Sequence, residues 1–334
     1  MSIENTRQFL QKVHQLESEM GLKNEPCRSK FLVHPHKTRK VFLFLHGFTA
    51  GPYQFQPLGN ALFQSGYNVL IPLLPGHGVA GEWNRKNPQP LPTNIKIYQD
   101  FVLRWWEIAQ SLGEQVIIGG LSTGATLAAW LALQHPQQIS QALLFTPYLG
   151  SRWGIFDWLI KNLPIYFEWF NKNAPGNFGY NGFTVPALKI FLELAEQLLE
   201  DAETATFPPT LIMSSEADSV VKREKQEKFF QLVLKTQTKS WYYCFDNSLH
   251  VEHRMMTKME DNDYEELLIT ITQAFVESDL TWQELREIAK RLEWGEDYDK
   301  IKADFNIDGR GCEQLSTMMN QRFGCKILKC LNPV

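Results

Sequence analysis

The most informative segment of this 334-residue sequence is a Gly-x-Ser-x-Gly pattern that runs from Gly120 to Gly124, with Ser122 at its centre. It follows an apolar run at 115–119 and leads into a helix-like run at 123–134. This context predicts an abrupt turn from strand to helix, in which the serine hydroxyl is exposed and both glycines are needed because larger side chains would collide. The start of the helix would direct free N–H groups at the reacting oxygen. We therefore predict that Ser122 is a nucleophile.

A serine nucleophile needs a base that takes its proton and an acid that orients the base. After a turn of this kind the chain order is serine, acid, histidine. Two histidines lie late enough, His250 and His253. We predict that His250 is the base, because it follows a predicted strand at 240–245 after a short loop. His253 is interpreted as a solvated or supporting residue.

The acid should follow the predicted strand at 210–214, and the candidates are Glu216 and Asp218. Asp218 precedes Ser-Val-Val and a predicted helix, which favours a tight loop that turns back towards the site. We therefore predict Asp218 as the acid and interpret Glu216 as a surface residue.

Two backbone N–H groups are expected to stabilise an oxyanion. One belongs to Thr123, directly after the nucleophile, and the other to Phe48, in the loop after an early apolar strand. His46 begins that loop and is interpreted as a structural residue that supports it. His77 is interpreted as loop packing, and neither histidine is assigned acid–base work.

Strand-like and helix-like segments alternate along most of the chain. The predicted strands lie at 41–45, 68–72, 115–119, 141–146, 210–214 and 240–245, and the predicted helices at 54–65, 95–112, 123–134, 222–234 and 264–277. Repeated strand–helix units predict an α/β fold with a mainly parallel central sheet, right-handed crossovers and helices on both faces.

Departures from this alternation suggest the domain organisation. The α/β core is predicted at 28–149 and 206–278, preceded by an N-terminal helix within 1–27. A helical insertion at 150–205, without a convincing strand, is predicted to form a cap or lid. A small helical appendage is predicted at 279–334.

The predicted cap is rich in aromatic residues, with eleven between positions 151 and 191. Such an excess beside a reactive serine is typical of the apolar roof of a pocket. We predict that Trp153, Phe156 and Trp158 bind substrate. Most of the aromatic residues could instead hold the insertion onto the core.

Composition and charge exclude several functions. A net charge of −4 gives the chain no general affinity for nucleic acid or anionic membranes. The polar start does not resemble a signal peptide, and without a run of about 18 apolar residues no transmembrane segment is expected. Five cysteines, an odd number, favour free thiols and a cytoplasmic location. The oligomeric state is left open.

Neither of two metal-like patterns predicts a metal site, and no cofactor is expected. A D-x-N-x-D-G segment at 304–309 resembles half of a calcium loop, but Leu315 occupies the position where the loop requires glutamate. Cys312, Cys325 and Cys330 form no C-x-x-C pair, and no histidine follows His253. The role of these cysteines and of the appendage is left open.

Several of these segments resemble the carboxylesterase and monoacylglycerol-lipase branch of the α/β-hydrolase superfamily over residues 28–278. The resemblance lies in His46-Gly47-Phe48-Thr49, in Leu74-Pro75-Gly76-His77-Gly78, in the Gly-x-Ser-x-Gly turn, in Asp218 with Val220-Val221, and in Ser248-Leu249-His250-Val251. It implies the α/β-hydrolase fold, a catalytic triad, a helical cap over the pocket, and ester hydrolysis without metal or cofactor. One departure is Thr123, where the family often has a larger apolar residue.

The resulting prediction is a serine hydrolase that cleaves small-molecule carboxylic esters through an acyl-enzyme. The aromatic cap favours an apolar acyl chain of short to medium length. Acyl transfer to another alcohol and lysophospholipid hydrolysis would use the same residues and remain alternatives. A further alternative is a non-catalytic module that binds a small ligand in the hydrolase pocket.

Overall fold

The computed structural model describes residues 2–152, 154–169 and 174–320. Trp153, Cys325 and Cys330 therefore lie outside the described residues. Within these ranges the strands are β1 (Lys30–Leu32), β2 (Thr38–Leu45), β3 (Asn68–Ile71), β4 (Gly113–Leu121), β5 (Ile139–Phe145), β6 (Tyr166–Glu168), β7 (Gly182–Thr184), β8 (Thr210–Ser215) and β9 (Trp241–Phe245).

The α-helices of the described residues alternate with these strands. They are α1 (Ile3–Met20), α2 (Gln56–Gln64), α3 (Ile95–Gln110), α4 (Thr123–Gln134), α5 (Gly154–Asn162), α6 (Val185–Asp201), α7 (Arg223–Thr236), α8 (Glu265–Glu277), α9 (Trp282–Glu293), α10 (Tyr298–Asp304) and α11 (Glu313–Asn320). The predicted helix at 54–65 is divided, since a 3-10 turn at Pro52–Phe55 precedes α2.

The centre of the molecule is a seven-stranded sheet in the order β1-β3-β2-β4-β5-β8-β9. β1 pairs antiparallel with β3 at one edge, and all the other pairs are parallel. The central strands are almost completely buried, as expected where helices cover a parallel sheet. The predicted α/β fold with a mainly parallel sheet is confirmed. Its parallel strands end at one edge, where the loops that carry the predicted site begin.

The segment at 150–205 is not wholly helical, contrary to prediction. Between α5 and α6, the short strands β6 and β7 pair antiparallel and form a separate two-stranded sheet. A three-residue strand is too short to show a clear alternation of apolar and polar residues, so these strands could not be recognised from the residue pattern. α6 is amphipathic and packs its apolar face against α4 of the core.

The two terminal regions pack against the core through side chains. Phe9 of α1 meets the Trp105 ring of α3 at a centroid distance of 5.8 Å. At the other end, Trp282 of α9 meets Phe230 of α7 at 5.3 Å, and α11 packs along α8. The division of the chain into domains stays a prediction.

Among the α-helices in the described ranges, none combines the length and the hydropathy that a bilayer crossing requires.

Candidate active site

Ser122 lies at the turn from β4 into α4, with φ 56° and ψ −118°. Non-glycine residues rarely adopt a positive φ, and strain of this kind persists only where the surroundings enforce it. Here the Ser122 N–H donates to the carbonyl of Phe145 at 3.0 Å, and its carbonyl accepts from the Tyr148 N–H at 3.1 Å. A Cβ on Gly120 would overlap the backbone of Gly124. The turn therefore presents the hydroxyl at the sheet edge and requires glycine beside it.

The imidazole beside this hydroxyl belongs to His253. Its Nε2 lies 2.9 Å from Ser122 Oγ, and its Nδ1 lies 2.7 Å from Asp218 Oδ2. In this arrangement the ring can accept the hydroxyl proton while the carboxylate fixes its orientation. The prediction that His250 occupies this position is corrected, because the structure places His253 there.

The conformation of the chain at His250 explains the difference. His250 ends a 3-10 turn at Asn247–Leu249, has a left-handed φ of 52° and is exposed to solvent. The next residue, Val251, is buried, and its carbonyl accepts a hydrogen bond from Ser215 at the end of β8. The chain thus returns to the interior only after His250. A buried apolar residue two positions before His253 was the available signal.

Asp218 follows β8 and faces the site, as expected for its place in the sequence. It is 4% exposed. Its Oδ1 accepts the backbone N–H groups of Val220 at 2.8 Å and Val221 at 3.1 Å, while Oδ2 faces His253. Glu216, the other candidate, pairs instead with an arginine at the start of α7. Two backbone donors on Oδ1 leave the second oxygen correctly placed for the imidazole.

Residues 46–50, here called the oxyanion loop, connect the end of β2 to the cavity beside Ser122. Phe48 and Thr123 both line this cavity. Within the described residues, neither the Phe48 nor the Thr123 backbone N–H donates a hydrogen bond to the protein. Both predicted donors thus border the cavity without an acceptor among the described residues.

Two buried, neutral histidines hold the oxyanion loop. His46 accepts the Leu74 N–H at Nε2, 3.0 Å away, so its Nδ1 carries the proton and donates to the Gly47 carbonyl at 2.9 Å. His77 accepts the Thr49 N–H at Nε2, 3.1 Å away. Burial lowers the pKa of His77 to about 4, and burial together with the neighbouring His77 lowers the pKa of His46 well below its ordinary value. Neutral rings are required here, because only an unprotonated nitrogen can accept an amide N–H.

A cavity of about 140 Å³ lies beside Ser122. Its apolar lining comes from Phe48, Leu121, Tyr148, Trp169, Leu188 and Val220. Its polar lining includes Gln54, Asn177 and Arg254. The cavity thus combines an apolar wall with polar groups close to the serine, which is typical of a site for a small amphipathic molecule.

The predicted substrate-binding aromatic residues of α5 do not line this cavity. Phe156 is 39% exposed and Trp158 is 58% exposed, whereas Ile160 is buried where α5 packs against α6. The prediction for these two residues is corrected, because α5 leaves them on its solvent side. Trp153 lies outside the described residues. Among the aromatic residues of the predicted cap, Trp169 lines the cavity.

Comparison with known families assigns the fold. A model of the α/β-hydrolase fold family matches residues 40–228, which is more than half of the chain. This chain belongs to the α/β-hydrolase fold family. The match includes the Ser122 turn and Asp218, and it ends before β9 and His253.

Individual proteins similar to this α/β-hydrolase include esterases and lipases. The chain is 32% identical over 94 residues to a thermostable monoacylglycerol lipase of Bacillus sp. (strain H-257), an alignment covering 28% of this chain and 35% of that protein. It is 30% identical over 99 residues to esterase YjfP of Escherichia coli (strain K12), covering 28% and 40% respectively. The chain thus spans about a third to two fifths of the length of these curated relatives.

Solved structures resemble a larger part of this α/β-hydrolase. One described in a study of LipS and LipT, two metagenome-derived lipolytic enzymes, has a TM-score of 0.61 at 17% sequence identity. It covers 75% of this chain and 98% of that structure. This likeness concerns the fold.

In the part of the α/β-hydrolase that the structure describes, no group of three or more His, Cys, Asp or Glu side chains is placed to hold a metal ion. The D-x-N-x-D-G segment forms the end of α10 and a 3-10 turn at Ile307–Gly309, where Asp308 pairs with Lys302. Cys27 and Cys312 form no disulfide with another cysteine of the described residues.

Proposed function

We propose that this α/β-hydrolase cleaves carboxylic esters through an acyl-enzyme, with Ser122 as nucleophile, His253 as base and Asp218 as the acid that orients the base. The observation that carries the proposal is the position of the His253 ring, which bridges Ser122 Oγ at 2.9 Å and Asp218 Oδ2 at 2.7 Å. A binding function alone would not require this alignment of nucleophile, base and acid.

In the proposed reaction, His253 takes the proton of Ser122 as Oγ attacks the ester carbonyl. The N–H groups of Phe48 and Thr123 stabilise the tetrahedral oxyanion, and each such donor contributes about 3 kcal/mol in comparable enzymes. His253 then gives its proton to the leaving alcohol, which departs and leaves the acyl group on Ser122. Water attacks this ester with His253 again as base, and Ser122 regains its proton as the acid product forms.

The substrate proposed is an ester with an apolar acyl chain of short to medium length. The apolar wall of the cavity supports an apolar chain. Its volume of about 140 Å³ supports a small one, since pockets for drug-sized molecules measure roughly 300–1,000 Å³. The two curated relatives, named as a monoacylglycerol lipase and an esterase, support an ester bond as the target.

The assignment of the base can be tested by replacing each of the two histidines. We expect His253→Ala and Ser122→Ala each to lower kcat on p-nitrophenyl butyrate by at least about 10⁴-fold, because each removes a member of the proposed triad. His250→Ala is the matched control and should retain wild-type kcat, since His250 is exposed on a turn. Steady-state kinetics and labelling by a fluorophosphonate probe measure the effects.

Different results would reject different parts of the proposal. Labelling that persists in Ser122→Ala would exclude Ser122 as the nucleophile. Loss of turnover in His250→Ala, with activity kept in His253→Ala, would restore the sequence-based assignment of the base. Fastest turnover of acetyl esters, with a decline as the chain lengthens, would count against an apolar acyl site.

A further inference from the structure

Glu260 is a buried carboxylate that takes no part in the proposed reaction, although it lies close to it. The side chain is on a 3-10 turn between His253 and α8, and the residue is 3% exposed. Burial raises its pKa to about 7, although a hydrogen bond from Gln54 and the charge of Arg254 partly oppose this rise. Because burying an ionisable group is unfavourable, its presence here calls for a compensating role.

Gln54 connects this carboxylate to the oxyanion loop. Its Nε2 donates to Glu260 Oε1 at 2.8 Å, and its Oε1 accepts the Gly47 N–H at 2.9 Å. The orientation of the amide follows from Gly47, because a backbone N–H can only donate and therefore requires the amide oxygen as its partner. Gln54 is 2% exposed, so solvent is largely excluded from both hydrogen bonds.

Gln54 holds the peptide unit before Gly47, and His46 holds the unit after it, which contains the Phe48 N–H. The Gly47 carbonyl accepts a hydrogen bond from His46 Nδ1, and the Gly47 N–H donates to Gln54. Since a peptide unit is planar, fixing the Gly47 carbonyl also fixes the N–H of Phe48 in the same unit. A glycine has more backbone freedom than any other residue, so its orientation depends on such contacts.

The other end of the connection is in the segment that carries the proposed base. The Glu260 N–H donates to Thr257 Oγ1 at 3.1 Å, which closes the turn that follows His253. The Gln54–Glu260 pair therefore links the oxyanion loop to the loop of His253. Their relative position decides whether the oxyanion donor and the base can act on one substrate.

We propose that Gln54 and Glu260 are positioning residues. They aim the Phe48 N–H at the oxyanion and fix its position relative to the imidazole of His253. This inference rests on the proposed function. The contact with the oxyanion is made mainly in the transition state, so loss of positioning should lower kcat more than it raises KM.

Exchanging the two side chains provides the test. Gln54→Glu keeps an acceptor for the Gly47 N–H but places a second carboxylate against Glu260, and we expect kcat on p-nitrophenyl butyrate to fall at least tenfold at pH 8 with KM changed less than threefold. The double variant Gln54→Glu/Glu260→Gln restores one donor and one acceptor between the two positions. It should recover most of the lost kcat. Gln64→Glu makes the same change at an exposed site on α2 and should have no effect.

Active-site titration with a fluorophosphonate and the melting temperature separate positioning from folding, since kcat is then expressed per reactive serine. If Gln54→Glu does not fold, Gln54→Met removes both hydrogen bonds at similar size and should show the same loss. Unchanged kcat per reactive serine in these variants, or no recovery in the exchanged variant, would overturn the inference. If the wild-type protein neither reacts with the fluorophosphonate nor turns over the ester, the proposed function fails first.

Discussion

The two walls of the cavity are held in different ways. The core wall consists of the oxyanion loop and the Ser122 turn, where buried histidines and close backbone contacts fix the peptide groups. The wall formed by the predicted cap, here called the cap wall, includes Trp169, Asn177 and Leu188. Beyond them, α5 leaves Phe156 and Trp158 exposed. The core wall should therefore tolerate almost no added atom, whereas the outer part of the cap should tolerate many changes.

The largest effect is expected from a single methyl group on the core wall. In Gly124→Ala the new Cβ would overlap the carbonyl oxygens of Leu45 and His46, both of which belong to backbone that cannot move aside without separating β2 from α4. We expect the variant to lose at least about 3 kcal/mol of unfolding free energy. Turnover per folded molecule should fall by at least about 10³-fold, because the Ser122 turn is displaced.

The same substitution in the cap is the matched control. A Cβ on Gly154, at the start of α5, would meet no atom within 4 Å. Gly154→Ala should therefore leave kcat unchanged, and the melting temperature should stay or rise slightly because alanine favours the helix. Urea unfolding and ester kinetics on both variants make the comparison. Equal tolerance at the two glycines would contradict the rigid core wall.

A smaller loss of unfolding free energy is expected from the core wall when the pH is lowered. Burial lowers the pKa of His77 from its ordinary 6.5 to about 4, so in this interval the unfolded chain binds a proton that the folded chain excludes. The contribution to stability is complete above pH 6.5 and is lost as the pH falls towards 4. A shift of this size corresponds to about 3 kcal/mol.

His77→Gln tests this expectation, because glutamine does not titrate and can offer an acceptor to the Thr49 N–H. The fall in unfolding free energy between pH 7 and pH 4.5 should become smaller by up to about 3 kcal/mol. Part of the fall should remain, since the pKa of His46 is lowered as well. Chemical denaturation at a series of pH values measures this difference. If the unfolding free energy of His77→Gln falls with pH as steeply as that of the wild type, His77 does not control the loss of stability in acid.

The core wall could be predicted from sequence because its geometry follows from local sterics. A strand that turns directly into a helix needs small residues on both sides of the serine, so the pattern at Gly120 and Gly124 specifies the conformation of Ser122. The alternation of apolar segments likewise predicted the parallel sheet. Only two residues separate Asp218 from the end of its strand, which leaves little freedom in where the side chain can go.

The loop that carries the base could not be predicted in the same way. Seven residues separate the end of β9 from His253, and the path depends on a 3-10 turn and on the left-handed conformation of His250. Neither feature has a strong local signal, and the inward return at Val251 depends on a tertiary contact with Ser215. In the predicted cap, the count of aromatic residues could not show which of them face the cavity, because only packing decides that.

The smallest effect is predicted for Trp169, and Trp158 of the same segment is its control. Trp169 lines the cavity, and its Nε1 donates to Thr49 Oγ1 of the oxyanion loop at 2.9 Å, whereas Trp158 is 58% exposed. Trp169→Phe keeps an aromatic ring and removes this donor. Because one such hydrogen bond contributes about 1 kcal/mol, kcat/KM on p-nitrophenyl butyrate should fall roughly fivefold. Trp158→Phe should leave it unchanged. Equal effects at both positions would mean that the cap acts on the site through its packing as a whole, and not through the contact between Trp169 and the oxyanion loop.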